Sequence, residues 1–226
     1  MKGTKNFLLK FSLFGATLAV GLAASAQCKF TTLNIPNSID DTAIGINDQG
    51  AIVGEVLDST GGHGFLLFQG KVTKFRFPGS SSTEAADINN HGQIVGDYDS
   101  GQFAKTGQFG FVVHNGIFHS ISYPKAPGAT RALGINNFGV IVGAGGSDGF
   151  VLNNGKFSTV RFPGSSRTTA NGINDFGTIV GIYGDAKGFN HAFMLKGGKY
   201  TNIDFPGATN SGATRIDNEG DVVGSR

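Results

Sequence analysis

The chain has 226 residues, 37 of them glycine, with 20 phenylalanines, no tryptophan and one cysteine. A lone cysteine, Cys28, excludes an intramolecular disulfide, so the fold must stand on packing. The 18 basic and 16 acidic residues form no basic patch past residue 10, which gives neither nucleic acid nor an anionic membrane surface a foothold.

The N-terminus reads as a processing signal. Lys2, Lys5 and Lys10 precede an apolar and small run over residues 11–24, too short to span a bilayer, and Ala24-Ser25-Ala26 fits a small-x-small cleavage site. The expectation is a bacterial-type secretory signal over residues 1–26 and a mature domain over 27–226. Gln27 before Cys28 argues against a lipid anchor. Removing the three signal lysines leaves 15 basic against 16 acidic residues, a mature net charge of −1. No later segment reads as a membrane span, so the expected location is extracellular, the cell surface included.

Five copies of Ala-x-x-Ile-Asn-x-x-Gly-x-Ile-Val-Gly, with small departures, follow at residues 43–54, 85–96, 132–143, 170–181 and 213–224. Their anchors Asn47, Asn89, Asn136, Asn174 and Asp217 are 42, 47, 38 and 43 residues apart. A period near 40 describes an array of small supersecondary units. In the first unit, strands are expected over residues 42–47, 51–57, 64–69 and 71–78, rich in Ile, Val, Phe and Leu with no helical stripe. Asn47-Asp48-Gln49-Gly50 and its equivalents carry type I turn chemistry, and Asn115-Gly116 and Asn154-Gly155 predict type I′ hairpins. Gln69-Gly70 and Gly197-Gly198 are looser versions of the second turn. Phe77-Pro78-Gly79, Phe162-Pro163-Gly164 and Phe205-Pro206-Gly207, with Tyr123-Pro124 as a variant, end the fourth strands. Residues 29–36 read as a lone fourth strand and residues 213–226 as a first and second strand alone.

The expected fold is therefore all-β, a β-propeller of four-stranded meander blades. About five blades are expected, the last composite or incomplete. A fragment of a longer array is the alternative, and a β-solenoid ranks below both.

The run of Phe-Pro-Gly, Gly-Ile-Asn-x-x-Gly-x-Ile-Val-Gly and His191-Ala192-Phe193 before a Gly-Gly turn is similar to the bacterial extracellular HAF repeat family. The resemblance covers residues 29–226. The His-Ala-Phe triplet departs to His63-Gly64-Phe65, Phe109-Gly110-Phe111 and Asp148-Gly149-Phe150 in the other units. It implies export and a propeller-like fold, and no established activity.

Chemistry is sparse. His63 and His191 hold equivalent positions on different units, which argues against a metal pair. Asp58, Asp97, Asp99, Asp148 and Asp185 gather after second strands; Asp97-Tyr98-Asp99-Ser100-Gly101 resembles part of a calcium loop without the later bidentate acid. Asp87 and Arg215 replace the glycine that other first strands carry, and in a closed ring both approach a central channel. Arg131 and Arg167 add charge to the variable loops between units, as does the long loop over residues 99–108 with Phe103 and Lys105. The leading reading is a non-catalytic binding scaffold for a polysaccharide or surface protein. Rivals are a glycan-active enzyme with carboxylates from several blades and a structural fragment of a larger surface protein.

Overall fold

Glycine-bounded runs of branched and aromatic residues pair only with their chain neighbours. In the computed structural model, which describes residues 32–100 and 107–226, they form eighteen strands and no helix. The signal, Cys28, Phe103 and Lys105 lie outside the described residues. Residues 35–226 make one compact unit.

The first sheet is β1 (Asp40–Ile46), β2 (Ile52–Asp58), β3 (Gly61–Phe68) and β4 (Lys71–Phe75). The second is β5 (Ser82–Ile88), β6 (Ile94–Asp99), β7 (Gln108–His114) and β8 (Ile117–Ile121). The third is β9 (Thr130–Ile135), β10 (Ile141–Gly145), β11 (Asp148–Asn153) and β12 (Lys156–Val160). The fourth is β13 (Arg167–Ile173), β14 (Ile179–Gly184), β15 (Asn190–Lys196) and β16 (Lys199–Asn202). The fifth holds β17 (Gly212–Ile216) and β18 (Val222–Ser225). Every sheet is an antiparallel meander in chain order. Residues 32–36, expected as the end of a fourth strand, form none; a strand needs a paired neighbour, and these have none among the described residues.

Turn chemistry follows the residues. Gln69-Gly70, Asn115-Gly116, Asn154-Gly155 and Gly197-Gly198 all take two positive φ values, so all four hairpins close in type I′ geometry. The Phe-Pro-Gly turns place glycine at φ 76 to 80, with the next amide donating to the Phe carbonyl at 3.0–3.1 Å. Ile35-Pro36-Asn37-Ser38 copies this turn, with Asn37 at φ 58 and Ser38 N–H donating to Ile35 C=O at 3.3 Å. Ile35 then packs on Val56 and Phe65 of the first sheet.

One rule stacks the sheets: the second-strand Val of each packs on the first-strand Ala and Ile of the next. Val53 meets Ala85 and Ile88, Val95 meets Ala132 and Ile135, and Val142 meets Ala170 and Ile173. Val180 meets Ala213 and Ile216. All four valines are fully buried, which stabilises each contact by about 1.5–3 kcal/mol per side chain.

The first strand of every sheet carries a one-residue β-bulge. The unpaired residues are Ile44, Ala86, Leu133, Asn171 and Thr214. Opposite each bulge the motif ends in glycine because a Cβ there would lie 1.9–2.0 Å from a first-strand carbonyl oxygen.

Candidate functional site

The five first strands end around one cavity of about 410 Å³, lined by Asn47, Asn89, Asn136, Asn174 and Asp217 among others. Each anchor does local work first. Its Oδ1 accepts the backbone N–H two and four residues on, as Asn136 does from Phe138 at 3.1 Å and Val140 at 3.0 Å. The Asn Nδ2 then donates to the next anchor's carbonyl: Asn47 to Asn89 at 3.1 Å, Asn89 to Asn136 at 3.0 Å, Asn136 to Asn174 at 3.1 Å and Asn174 to Asp217 at 2.9 Å. Asp217 clamps its own turn through Glu219 and Asp221 N–H groups but has no N–H to pass on.

A second ladder runs beside the first. The amides of Asp48, Asn90, Asn137 and Asp175 donate to the side-chain oxygens of Asn90, Asn137, Asp175 and Asn218 at 2.8–3.0 Å. Desolvation pushes the Asp175 carboxyl up, but hydrogen bonds from Asn137 and Asn218 outweigh it and leave the group below its usual range.

Within the cavity, Asp87 and Arg215 come together, 3.9 Å apart. Arg215 is held mostly by carbonyls: its Nη2 donates to Ala86 at 2.6 Å, and its Nη1 to Asn171 at 3.1 Å and Thr214 at 3.0 Å. These three carbonyls belong to bulge residues. Asp87 accepts from the amides of Ile88 and Ile135, both at 3.0 Å. Burial pushes its carboxyl up, and Arg215 and the amides pull it back. The pair ties β5, β9, β13 and β17 together.

The other candidates lie apart from this cavity. Asp97 is buried between the second and third sheets, accepting from Arg131 at 3.2 Å and Gln108 at 2.6 Å; desolvation pushes it up. Glu84, directly opposite it across β5 and β6, is pushed up by desolvation and by Asp97. Asp99 sits exposed at the end of β6. Asp148 pairs with Arg161, and Arg167 donates to Asn190 at 2.6 Å. Asp185 accepts from Lys187 and Phe189 N–H groups and lies 3.5 Å from His191, whose Nδ1 meets Asp204 at 2.7 Å. His63 likewise pairs with Asp58 of its own sheet at 3.3 Å. The suggested calcium oxygens of Asp97 are thus taken by Arg131 and Gln108. Among the described residues, three acids approach closely only at Asp217, Glu219 and Asp221, all exposed on the β17–β18 turn.

The sequence reading places binding on the variable loops, and the turns between first and second strands enter it only through their turn chemistry. The third turn residue is not uniform: Gln49, His91, Phe138, Phe176 and Glu219. Phe138 and Phe176 stand 76% and 77% exposed on adjacent sheets, beside the Asn/Asp ladders. The signal was in the sequence, as apolar residues in a position that turn chemistry does not dictate.

The chain matches no protein-family model, and no curated protein matches it. No helix among the described residues is long and apolar enough to cross a membrane.

Proposed function

We propose that the chain is a secreted, non-catalytic scaffold of the HAF repeat type. In this reading its sheets stand as propeller blades about the shared cavity, with a seam between the fifth and first, and it binds an extracellular polysaccharide on the face where the first two strands of each sheet turn. The observation that carries this is the juxtaposition of exposed Phe138 and Phe176 rings with rows of Asn and Asp side chains at a cavity mouth. Rings stack on the apolar faces of sugars, and carboxamides and carboxylates exchange hydrogen bonds with hydroxyls. The partly buried Arg215–Asp87 pair in the cavity wall, with its bonds to four first strands, supports a rigid, preorganised platform.

The test is binding of the mature chain, residues 27–226, to a panel of bacterial and plant polysaccharides. Saturable binding that falls about tenfold in the double variant Phe138→Ala/Phe176→Ala, a loss of roughly 1.4 kcal/mol, is expected. Retained binding in that variant moves the site elsewhere, and a panel without binders favours a surface-protein partner or a structural fragment.

A glycan-active enzyme is the second reading, favoured by the opposed Glu84 and Asp97, both with raised carboxyls. Shortened glycan products that vanish in Glu84→Gln would replace the scaffold with this enzyme.

A further inference from the structure

The turns at residues 47–50, 89–92, 136–139, 174–177 and 217–220 meet at the cavity of about 410 Å³. Together they hold four acids, Asp48, Asp175, Asp217 and Glu219, and no lysine or arginine. Charge is handled differently elsewhere in the molecule. Asp58 meets Lys74 at 2.8 Å, Asp97 meets Arg131 at 3.2 Å, and Asp148 meets Arg161. Among the described residues, no lysine or arginine lies within ion-pair distance of the turn acids.

Amides hold these carboxylates instead. Asp48 accepts from the Asn90 side chain at 2.6 Å, and Asp175 from those of Asn137 and Asn218 at 2.8 and 2.9 Å. A carboxamide positions a carboxylate without neutralising it. Desolvation pushes the Asp175 carboxyl up, but these hydrogen bonds leave it below its usual range, so it keeps its charge in mildly acidic solution. Arg215, the guanidinium in the cavity wall, is occupied by three carbonyls and Asp87. No other lysine or arginine lines the cavity among the described residues.

The exposed rings of Phe138 and Phe176 stand in the same turns, Phe176 directly after Asp175. An aromatic face attracts an ammonium group through its quadrupole, and a nearby carboxylate attracts it through its charge. A neutral sugar would use the rings and carboxamides and leave the carboxylates idle. A uronic acid would be repelled. A sugar with a free amine uses all three.

We infer that this face selects polysaccharides whose sugars carry free, protonated amines, with Asp48, Asp175 and Glu219 as the selecting residues. The inference rests on the reading of the face as a glycan site and names the class of glycan. Phe138 and Phe176 take the apolar sugar faces, the carboxamide rows take hydroxyls, and the carboxylates take the ammonium groups.

The repeat itself supplies the test variant. Asn90, Asn137 and Asn218 hold the place of Asp48 and Asp175 in the other turns, so Asp48→Asn/Asp175→Asn/Glu219→Gln removes charge in a form that the turn accepts. Its melting temperature checks the fold. Calorimetry at low salt and mildly acidic pH compares oligomers of β-linked glucosamine, of its N-acetylated counterpart and of galacturonic acid. The mature chain is expected to bind the glucosamine oligomer about tenfold more tightly than the N-acetylated one, and the galacturonate without saturation. The triple variant should bring the first two within about threefold of each other. Equal binding of those two by the native chain overturns the amine class and leaves the glycan reading standing, whereas absence of binding to all three removes both. An amine preference that survives in the triple variant also overturns the assignment. So does oligolysine bound more tightly than glucosamine and released in the triple variant, which would assign the acids to a basic protein.

Discussion

Val180 and Val223 occupy the same place in the fourth and fifth sheets, yet Val180 is fully buried on Ala213 and Val223 is 62% exposed. At the other end, Ile88, Ile135 and Ile173 are buried while their counterpart Ile46 is 64% exposed. Among the described residues, one interface rule thus produces four closed contacts and two open, complementary faces. The residue types are the same; only the presence of a neighbour differs. What the repeat supplies is half an interface, and a unit is stable to the extent that the next one completes it.

The largest expected effect comes from removing a ring on either side of that divide. Phe193→Ala empties a fully buried site and is expected to cost about 3–5 kcal/mol. Phe205→Ala, beside the fifth sheet, should cost about 1 kcal/mol or less, because half its ring is already in water. Urea unfolding midpoints compare the two; equal losses would show that the fifth sheet is covered in solution.

Arg215 is the place where the fifth sheet reaches inward, to the second. Arg215→Met removes donors from three bulge carbonyls and strands Asp87, at an expected cost of about 3–5 kcal/mol near neutral pH. With its partner gone, burial raises the Asp87 carboxyl further. A raised folded-state acid binds more protons than the unfolded one, so stability falls as pH rises from its ordinary 3.8 through the folded value. The deficit should therefore shrink toward pH 4, and Asp87→Asn in the same chain should recover part of it at pH 7. A deficit independent of pH would mean that the carbonyls, not the carboxylate, are what Arg215 serves.

Asn136→Asp tests the closed interior more gently. Its Oδ1 clamp survives, but the donor to Asn174 C=O is lost between buried groups, at about 1–3 kcal/mol. A melting temperature unchanged by this substitution would remove the anchor row from the account of sheet stacking.

A pH profile separates the fourth sheet from the first. The hydrogen bond to Asp204 raises the His191 pKa above 6.5, with Asp185 adding to it. Stability from this cluster is fully present below 6.5 and is lost as pH rises through the folded value. Asp204 and Asp185 are pushed up by desolvation but lowered overall by their hydrogen bonds, so their contribution is present above 3.8 and lost as pH falls through their lower folded values. His191→Gln should thus lower the melting temperature most at about pH 5 to 6 and little at pH 9. His63, which pairs with Asp58 of the first sheet and lies outside this cluster, gives the control: His63→Gln should leave that profile in place.

Most of the scaffold was legible because turns and small residues repeat in register. Asn at the first turn position and Gly at the fourth fixed the first hairpins, and Asn-Gly fixed two of the later ones. Gln69, the looser cue, takes φ 50 in the same two-residue hairpin that Asn115 and Asn154 close by preference. The bulges were not legible, since an unpaired residue such as Ala86 or Leu133 has no distinctive side chain; only the glycine opposite it betrays the geometry. At the site, Asp87 and Arg215 were found because they break a glycine pattern. The exposed rings of Phe138 and Phe176 were missed because the turn chemistry is carried by the first and fourth residues and is silent about the third. The charged loop residues were weighed as ligand contacts, but Asp97, Asp148 and Asp185 are engaged by Arg131, Arg161 and backbone amides within the scaffold.

The smallest effect bears on the comparison most directly. Asp217 is the one anchor without an N–H to donate, so no tether can run from the fifth sheet to Asn47 C=O. Asp217→Asn keeps the turn clamp and supplies the missing donor. If the fifth face stands open, the amide meets only water and stability should change by less than about 0.5 kcal/mol. If the fifth and first sheets abut in solution, the new bond should add about 0.5–1.5 kcal/mol and raise the melting temperature. The open faces of Val223 and Ile46 predict the first result. The second would turn the seam into a fifth interface, built by the same rule as the other four.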